Sequence, residues 1–390
     1  MVLSVLSILI LSGCEKRFDT SVLPNPKSVV NPGDTTYVEV FPPWGGFDDP
    51  RAIIVGRDQL IYVADYGRNE VVMLDAGGAR LGSISVPHPI SLAQNSKLDL
   101  YVGGEAIAPN GVDTLGAIYR IFLVRFDTTY VAGYDTVIRF GDTTIVPVLR
   151  DTSFFNDHKI EAARSKIAWK EASRPHRRYV GIGILPDNGF LAARVGPDNS
   201  SFVDPDCRVL LFNRGDTLIT PLGDLITRPS GGTAITDIRT LTGIMVFPST
   251  RNFILTQTTD GVVYGAIFML YLKNKDFEGW LPAFDPGNID TRNADFIRPY
   301  RYQNAVAATF DPRRQDVFIL DAGLDSVSKF NIRGQFRQES FGKFLTSQSG
   351  FPGLNHPMGI AFSNDCTLYI SDTGNKVIRR FKLSIQTTCF

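Results

Sequence analysis

Short apolar or alternating runs, parted by clusters of Gly, Pro, Asn and Asp, fill the chain from about residue 35 onward and predict β-strands joined by tight turns. Residues 355–381 show the pattern most clearly. Met358 to Phe362 is apolar, Ser363-Asn364-Asp365 is a turn, Leu368 to Ser371 leads to Asp372, and Thr373-Gly374-Asn375 turns the chain into residues 376–381. Residues 49–74 repeat that order: Pro50 to Asp65 and Pro357 to Asp372 are both separated by 15 positions (65 − 50; 372 − 357). Residues 306–330 are a third copy, with Asp321-Ala322-Gly323 in place of Asp65-Tyr66-Gly67 and Asp372-Thr373-Gly374. A single unit of this kind cannot bury its own apolar faces, so the units must pack on one another.

The three copies resemble the NHL repeat, on Pro357-Met358-Gly359-Ile360-Ala361, Leu368 to Asp372, and Gly374-Asn375 before Val377 to Phe381. The resemblance implies an all-β, six-bladed β-propeller of the NHL and TolB-like type over residues 35–390. It gives architecture without an activity, because one fold hosts many functions. It also implies that residues 35–41, a good strand, form the outer strand of the blade that the C-terminus begins, so that pairing of the chain ends closes the ring.

The remaining blades follow in order. Blade one covers about residues 49–86, and blade two starts at His88-Pro89, with Gly104 where the Asp of other units stands. Strand-like pieces opened by Asp-Thr at Asp127, Asp135, Asp142 and Asp151 read as a β-meander extending blade two. Residues 156–172 place Ile160, Ala163 and Ile167 on one helical face, with Asp157 as a cap and Pro175 beyond, which predicts a short inserted helix. The insertion spans about residues 127–175. Blades three, four, five and six start near Tyr179, Thr240, Gln303 and Asn355.

Composition narrows the function classes. The chain has 40 Lys and Arg against 40 Asp and Glu, so no global field draws it to nucleic acid. Residues 1–13 are almost wholly apolar and end in Leu11-Ser12-Gly13-Cys14, a lipobox that predicts a bacterial lipoprotein signal peptide cleaved before Cys14. The apolar run is too short to span a bilayer. Lipid on Cys14 would make the membrane a partner, residues 15–34 a tether, and Glu15 after the cysteine points to the outer membrane of the cell envelope. Of the other cysteines, Cys366 and Cys389 are a candidate disulfide, and Cys207 has no evident partner.

In a propeller, the loops entering each inner strand and those joining its second and third strands share one face, where ligands bind. That face would collect Trp44, Tyr66, Arg68, His88, Glu105, Arg177, Arg178, Arg194, Arg298, Tyr300, Arg301, Tyr302 and His356, a mix of aromatic and Arg side chains typical of binding hot spots. The recurring Asp65, Asp321 and Asp372 are read as structural, accepting backbone N–H bonds in turns, rather than as metal ligands. His88 and His356 stand at matching places, each just before the Pro that opens an inner strand. No catalytic residue, Gly-x-Ser-x-Gly elbow or cofactor motif emerges. The expected function is non-catalytic binding of a protein, peptide or saccharide by a lipid-anchored envelope propeller. The alternatives are a hydrolase or lyase with a divalent cation in the central channel, and an envelope scaffold.

Overall fold

The computed structural model describes residues 36–125, 131–139, 142–149, 152–153, 160, 163–342 and 352–384. Residues 35–390 form one unit built on six four-stranded antiparallel sheets, each a blade. The inner strands are Pro50–Val55, Ser91–Gln94, Arg178–Ile184, Leu241–Val246, Ala305–Asp311 and Gly359–Phe362, and they touch one another in ring order. The account of a six-bladed β-propeller is therefore met.

Ring closure joins the two ends of the chain. Tyr37–Glu39 pairs antiparallel with Val377–Leu383, so the fourth strand of blade six comes from the N-terminal side. Arg379 is buried at this seam; its Nε donates to Glu39 Oε1 at 2.8 Å, its Nη2 donates to Glu39 Oε2, and its Nη1 lies 3.3 Å from Asp372 Oδ2. Closure gives Val377–Leu383 a backbone partner on its outer side.

Blades press closely because small residues line their inner strands. A Cβ on Gly181 would lie 2.5 Å from the Ile244 nitrogen, so blades three and four can meet only with glycine there. Aromatic rings fill the wedges between blades: Tyr101 lies 5.0 Å from Phe190, which stacks on Phe212 at 4.5 Å, and Phe318 stacks on Phe362 at 5.7 Å.

The inserted helix is corrected. Arg164–Lys170 is the fourth strand of blade two, paired with Thr114–Phe122, and no α-helix occurs among the described residues. Ile160 is buried whereas Ile167 is 45% exposed, so the two do not share an apolar face. The open edge of Thr114–Phe122 supplies backbone partners that outweigh a weak helical period, and Ile and Trp suit a strand. The Asp-Thr meander is also different from the expectation. Among the described residues, Val131–Arg139 and Asp142–Leu149 pair only with each other, a hairpin between the third and fourth strands of blade two rather than an extension of its sheet.

The recurring aspartates hold the blades together at one register. Asp65 Oδ2 and Oδ1 accept the Asp48 and Asp49 N–H groups at 3.0 and 2.8 Å. Asp321 accepts from Gln303, Asn304, Gly323 and Leu324 at 2.7–3.0 Å, and Asp372 Oδ1 accepts from Asn355 at 2.9 Å. Each thus ties the loop entering its own inner strand to the end of the second strand. At the same register blade three has Arg194 and blade four has Gln257. Gln257 does the same work with different atoms, accepting from the Arg239 N–H at 3.1 Å and donating to the Asp237 and Tyr264 carbonyls at 3.0 and 2.9 Å.

Candidate ligand site at the mouth of the central channel

The six inner strands enclose a cavity of about 720 Å³ that runs along the channel. One end is formed by the first residues of the inner strands and the last residues of the second strands. The other end is formed by the hairpin turns that carry Arg57, Gln59, Pro186, Ser249 and Asn364. Between them the wall is apolar: Ala52, Ile54, Val180, Ile184, Ile244, Ala307 and Met358 are half-buried and face it. Thr309 also lines it, and two other hydroxyls on these strands are used elsewhere. Ser91 Oγ donates to the Tyr179 carbonyl at 2.8 Å and Thr242 Oγ1 to the Ala305 carbonyl at 2.5 Å, both across a blade boundary.

At the first end, polar groups from three blades converge. Glu105 stands one residue past the register of the structural aspartates, where blade one has Tyr66, and so lines the mouth. Its Oε1 accepts from Arg178 Nε at 2.7 Å and its Oε2 lies 3.0 Å from His88 Nδ1. Burial by itself would raise the Glu105 carboxyl, but hydrogen bonds from His88, Thr114 and Arg178 together with the Arg178 charge outweigh it and hold the group below the usual carboxylate range. His88 stacks on Tyr66 with ring centroids 4.6 Å apart, and the Arg51 guanidinium sits 3.5 Å from the Tyr66 centroid. Arg51 is in turn anchored by Asp49, whose Oδ2 accepts from Nε and Nη2 at 3.0 and 2.8 Å. Arg51, Tyr66, His88, Glu105 and Arg178 all line the cavity.

Of the residues read from sequence as a ligand face, the structure brings together Tyr66, His88, Glu105 and Arg178. Four others are corrected because they are buried. Trp44 packs among Ile53, Ile61 and Ile378 under the Arg380 guanidinium, 4.6 Å from its ring. Tyr302 lies in the core of blades four and five. Arg177 and Arg194 are locked in an ion cluster: both donate to Asp204 at 2.7 Å, Arg177 also to Asp206 Oδ1 at 2.7 Å, and both approach Glu171 at 3.4 Å. Arg194 is the register counterpart of the structural aspartates, and its Nε and Nη2 donate to the carbonyls of Asp206 and Pro205.

Arg68, Arg298, Tyr300, Arg301 and His356 lie outside the cavity lining. Arg68 Nη1 donates to the Gly46 carbonyl, and Arg301 spreads over Phe336 at 4.8 Å. His88 and His356 do match in backbone: both have positive φ, +45° and +48°, and their N–H groups donate to Asn69 Oδ1 and Asp325 Oδ1. Only His88 reaches the channel. Arg51 was missed by sequence reading, although a signal exists. It is charged at the strand-opening position after Pro50, where the blade-six repeat has Met358 after Pro357.

Among the described residues no three His, Cys, Asp or Glu side chains converge to hold a metal ion. Cys366 is disulfide-bonded and its partner lies outside the described residues, as do Cys14 and Cys389; Cys207 is free and buried.

No protein-family model matches the sequence, and no curated protein matches it. Solved structures do match in shape. A Thermus thermophilus protein assigned as an oxidoreductase of the glucose dehydrogenase kind is 14% identical, with TM-score 0.52, over 90% of this chain and 100% of its own. A gluconolactonase from Xanthomonas campestris is 11% identical, with TM-score 0.51, over 90% of each chain. The pyrroloquinoline quinone-bound (PQQ-bound) aldose sugar dehydrogenase of Streptomyces coelicolor is 10% identical, with TM-score 0.51, over 90% of this chain and 99% of its own. At these identities the likeness is one of propeller fold.

Proposed function

We propose that this propeller binds a small organic molecule in its central channel, through the mouth formed by Arg51, Tyr66, His88, Glu105 and Arg178. The observation that carries this reading is the combination at one place of an apolar-walled cavity of about 720 Å³ and five convergent polar side chains at one end. Concave, mostly apolar sites with a few placed polar groups are the usual form of small-molecule sites. The test is a thermal-shift screen of the protein against small-molecule classes, repeated on Ala307→Trp, which fills the channel. Compounds that stabilise the unmodified protein and not the filled variant support the reading. Stabilisation that is equal in both contradicts it.

The 3.0 Å contact of His88 Nδ1 with Glu105 favours a second reading, in which the site is catalytic. A carboxylate on Nδ1 orients the ring and leaves Nε2 to move a proton, the arrangement of a general acid–base pair. The propeller neighbours include enzymes of sugar and lactone chemistry, which is compatible with this reading. Turnover of a channel ligand that is lost in His88→Gln, with binding kept, would establish it. Binding without turnover at any pH would return the site to recognition alone.

Export and lipid anchoring at Cys14, with an outer-membrane envelope location, are part of the same proposal. They rest on the apolar run and lipobox, which lie outside the described residues. A disulfide at Cys366 suits an oxidising compartment. Metabolic labelling with a radioactive fatty acid, lost in Cys14→Ala, tests the anchor.

A further inference from the structure

We infer that the channel ligand is an amphipathic carboxylate, with its head at the Arg51 end and an apolar body lying along the channel. The inference rests on the binding reading above and names the ligand class. Every blade contributes apolar side chains to the wall, and the Ser91 and Thr242 hydroxyls are already engaged with backbone carbonyls of the next blade, which leaves Thr309 as the inner-strand hydroxyl facing the cavity. A polyhydroxylated ligand would have its hydroxyls facing Ile54, Ile244 and Met358 without partners, which is costly, whereas methylenes gain from the same wall. The inner strands are up to seven residues long, which gives a channel depth of about 20 Å.

The far end of the channel carries Arg57, Gln59, Ser249 and Asn364 on its turns, with Phe247 and Pro248 beside them. A second cavity of about 560 Å³ walled by Phe247, Phe268, Phe284 and Phe310 adjoins the first, sharing Phe247, Pro248 and Ser249 with it. Aromatic surface is thus present just beyond the inner strands, between blades four and five.

The head-group chemistry follows from the charges at the mouth. Arg51, Arg178 and His88 face two carboxylates, Asp49 and Glu105, both of which already accept from them. Arg178 is already occupied by Glu105, the Pro175 and Arg177 carbonyls and the Thr114 hydroxyl, so the spare guanidinium donor at the mouth is on Arg51, whose Nη1 takes no part in its hydrogen bonds to Asp49. A ligand carboxylate completes the set as a charge-assisted acceptor.

The test is calorimetric titration of the protein with straight-chain saturated carboxylates of increasing length, below their micellar range, and with the alcohol matching the best of them. Affinity should rise about fourfold per methylene, and Arg51→Gln should weaken the carboxylate about tenfold or more while sparing the alcohol. Arg57→Gln, at the opposite end, should change neither. Ala307→Trp should abolish binding, and the smaller Ala307→Leu should give a graded loss even if the Trp variant does not fold. Affinity flat with chain length, or an effect of Arg57→Gln in place of Arg51→Gln, overturns the inference. If no carboxylate binds but other compounds do and Ala307→Leu weakens them, the class is wrong and the channel reading stands. If Ala307→Leu and Ala307→Trp both leave carboxylate binding intact, both fall.

Discussion

Removing Glu39 should open the ring at its seam, and the cost follows from the burial of Arg379. That guanidinium is 1% exposed, and its principal partner is the Glu39 carboxylate, held on Nε and Nη2. Breaking a buried pair by deleting one member typically costs 3–5 kcal/mol, because the other charge is left uncompensated. Here Asp372 and the Pro352 carbonyl remain as partners of Nη1 at 3.3 and 3.1 Å, so the lower end, about 3 kcal/mol, is expected for Glu39→Ala. For a propeller of this size the unfolding entropy is about 0.75 kcal/mol/K, which converts that loss to a fall of about 4 °C in Tm. Urea unfolding gives the free energy directly, and the double variant Glu39→Leu with Arg379→Met separates pairing from packing. The double variant should be more stable than Glu39→Ala alone, because it removes both charges together. A loss below about 1 kcal/mol in Glu39→Ala, or a double variant worse than the sum of the singles, would refute the assignment of the seam to this pair.

Other expectations follow from the same structure. Asp321→Ala strips the acceptor from four backbone N–H groups and should cost about 3–5 kcal/mol, read by urea unfolding. Asp216 accepts from Tyr101 and Arg120 and pairs with Lys166; burial alone would raise its carboxyl, but these partners outweigh it and hold it low. Its stabilising contribution is therefore present above the ordinary Asp range and is lost as pH falls through the depressed folded value, so Asp216→Asn should flatten the acid limb of a stability–pH curve. Burial pushes the Cys207 thiol up to about 12, so it should resist alkylation at neutral pH in the native protein and react once unfolded.

The sequence carried the architecture where each repeat kept its aspartate. Blades one, five and six have Asp65, Asp321 and Asp372 at the fastening register, and their strands were legible from the turn residues that follow. Blades three and four hid the same register because Arg194 fastens its loop with donors alone and Gln257 with donors as well as an acceptor. Arg194 consequently looked like a surface ligand residue, although its side chain points into the loop it holds. The failed helix has a similar origin. The spacing of Ile160, Ala163 and Ile167 is a local property, while the demand for a fourth strand comes from the edge of Thr114–Phe122, distant in sequence.

The site was half legible for a related reason. Tyr66 and Glu105 occupy the register just past the fastening position, which turns their side chains to the mouth, and Arg178 and His88 open the strands beside them. Trp44, Arg177 and Tyr302 share the same loops but turn into the core or an ion cluster, and residue type alone does not report that choice. Arg51 is the reverse case, a charge in a strand-opening place that the apolar pattern of the repeat obscured.

The most direct test of the channel as the binding site is a crystal of the protein soaked with a straight-chain carboxylate that carries bromine at its far end, with the bromine located by anomalous scattering. Density along the channel, with the carboxylate at Arg51 and the bromine beyond Ile244 toward Phe247, is the predicted result. Bromine ordered on the outer face of a blade, with the channel holding none of the ligand, would contradict the account.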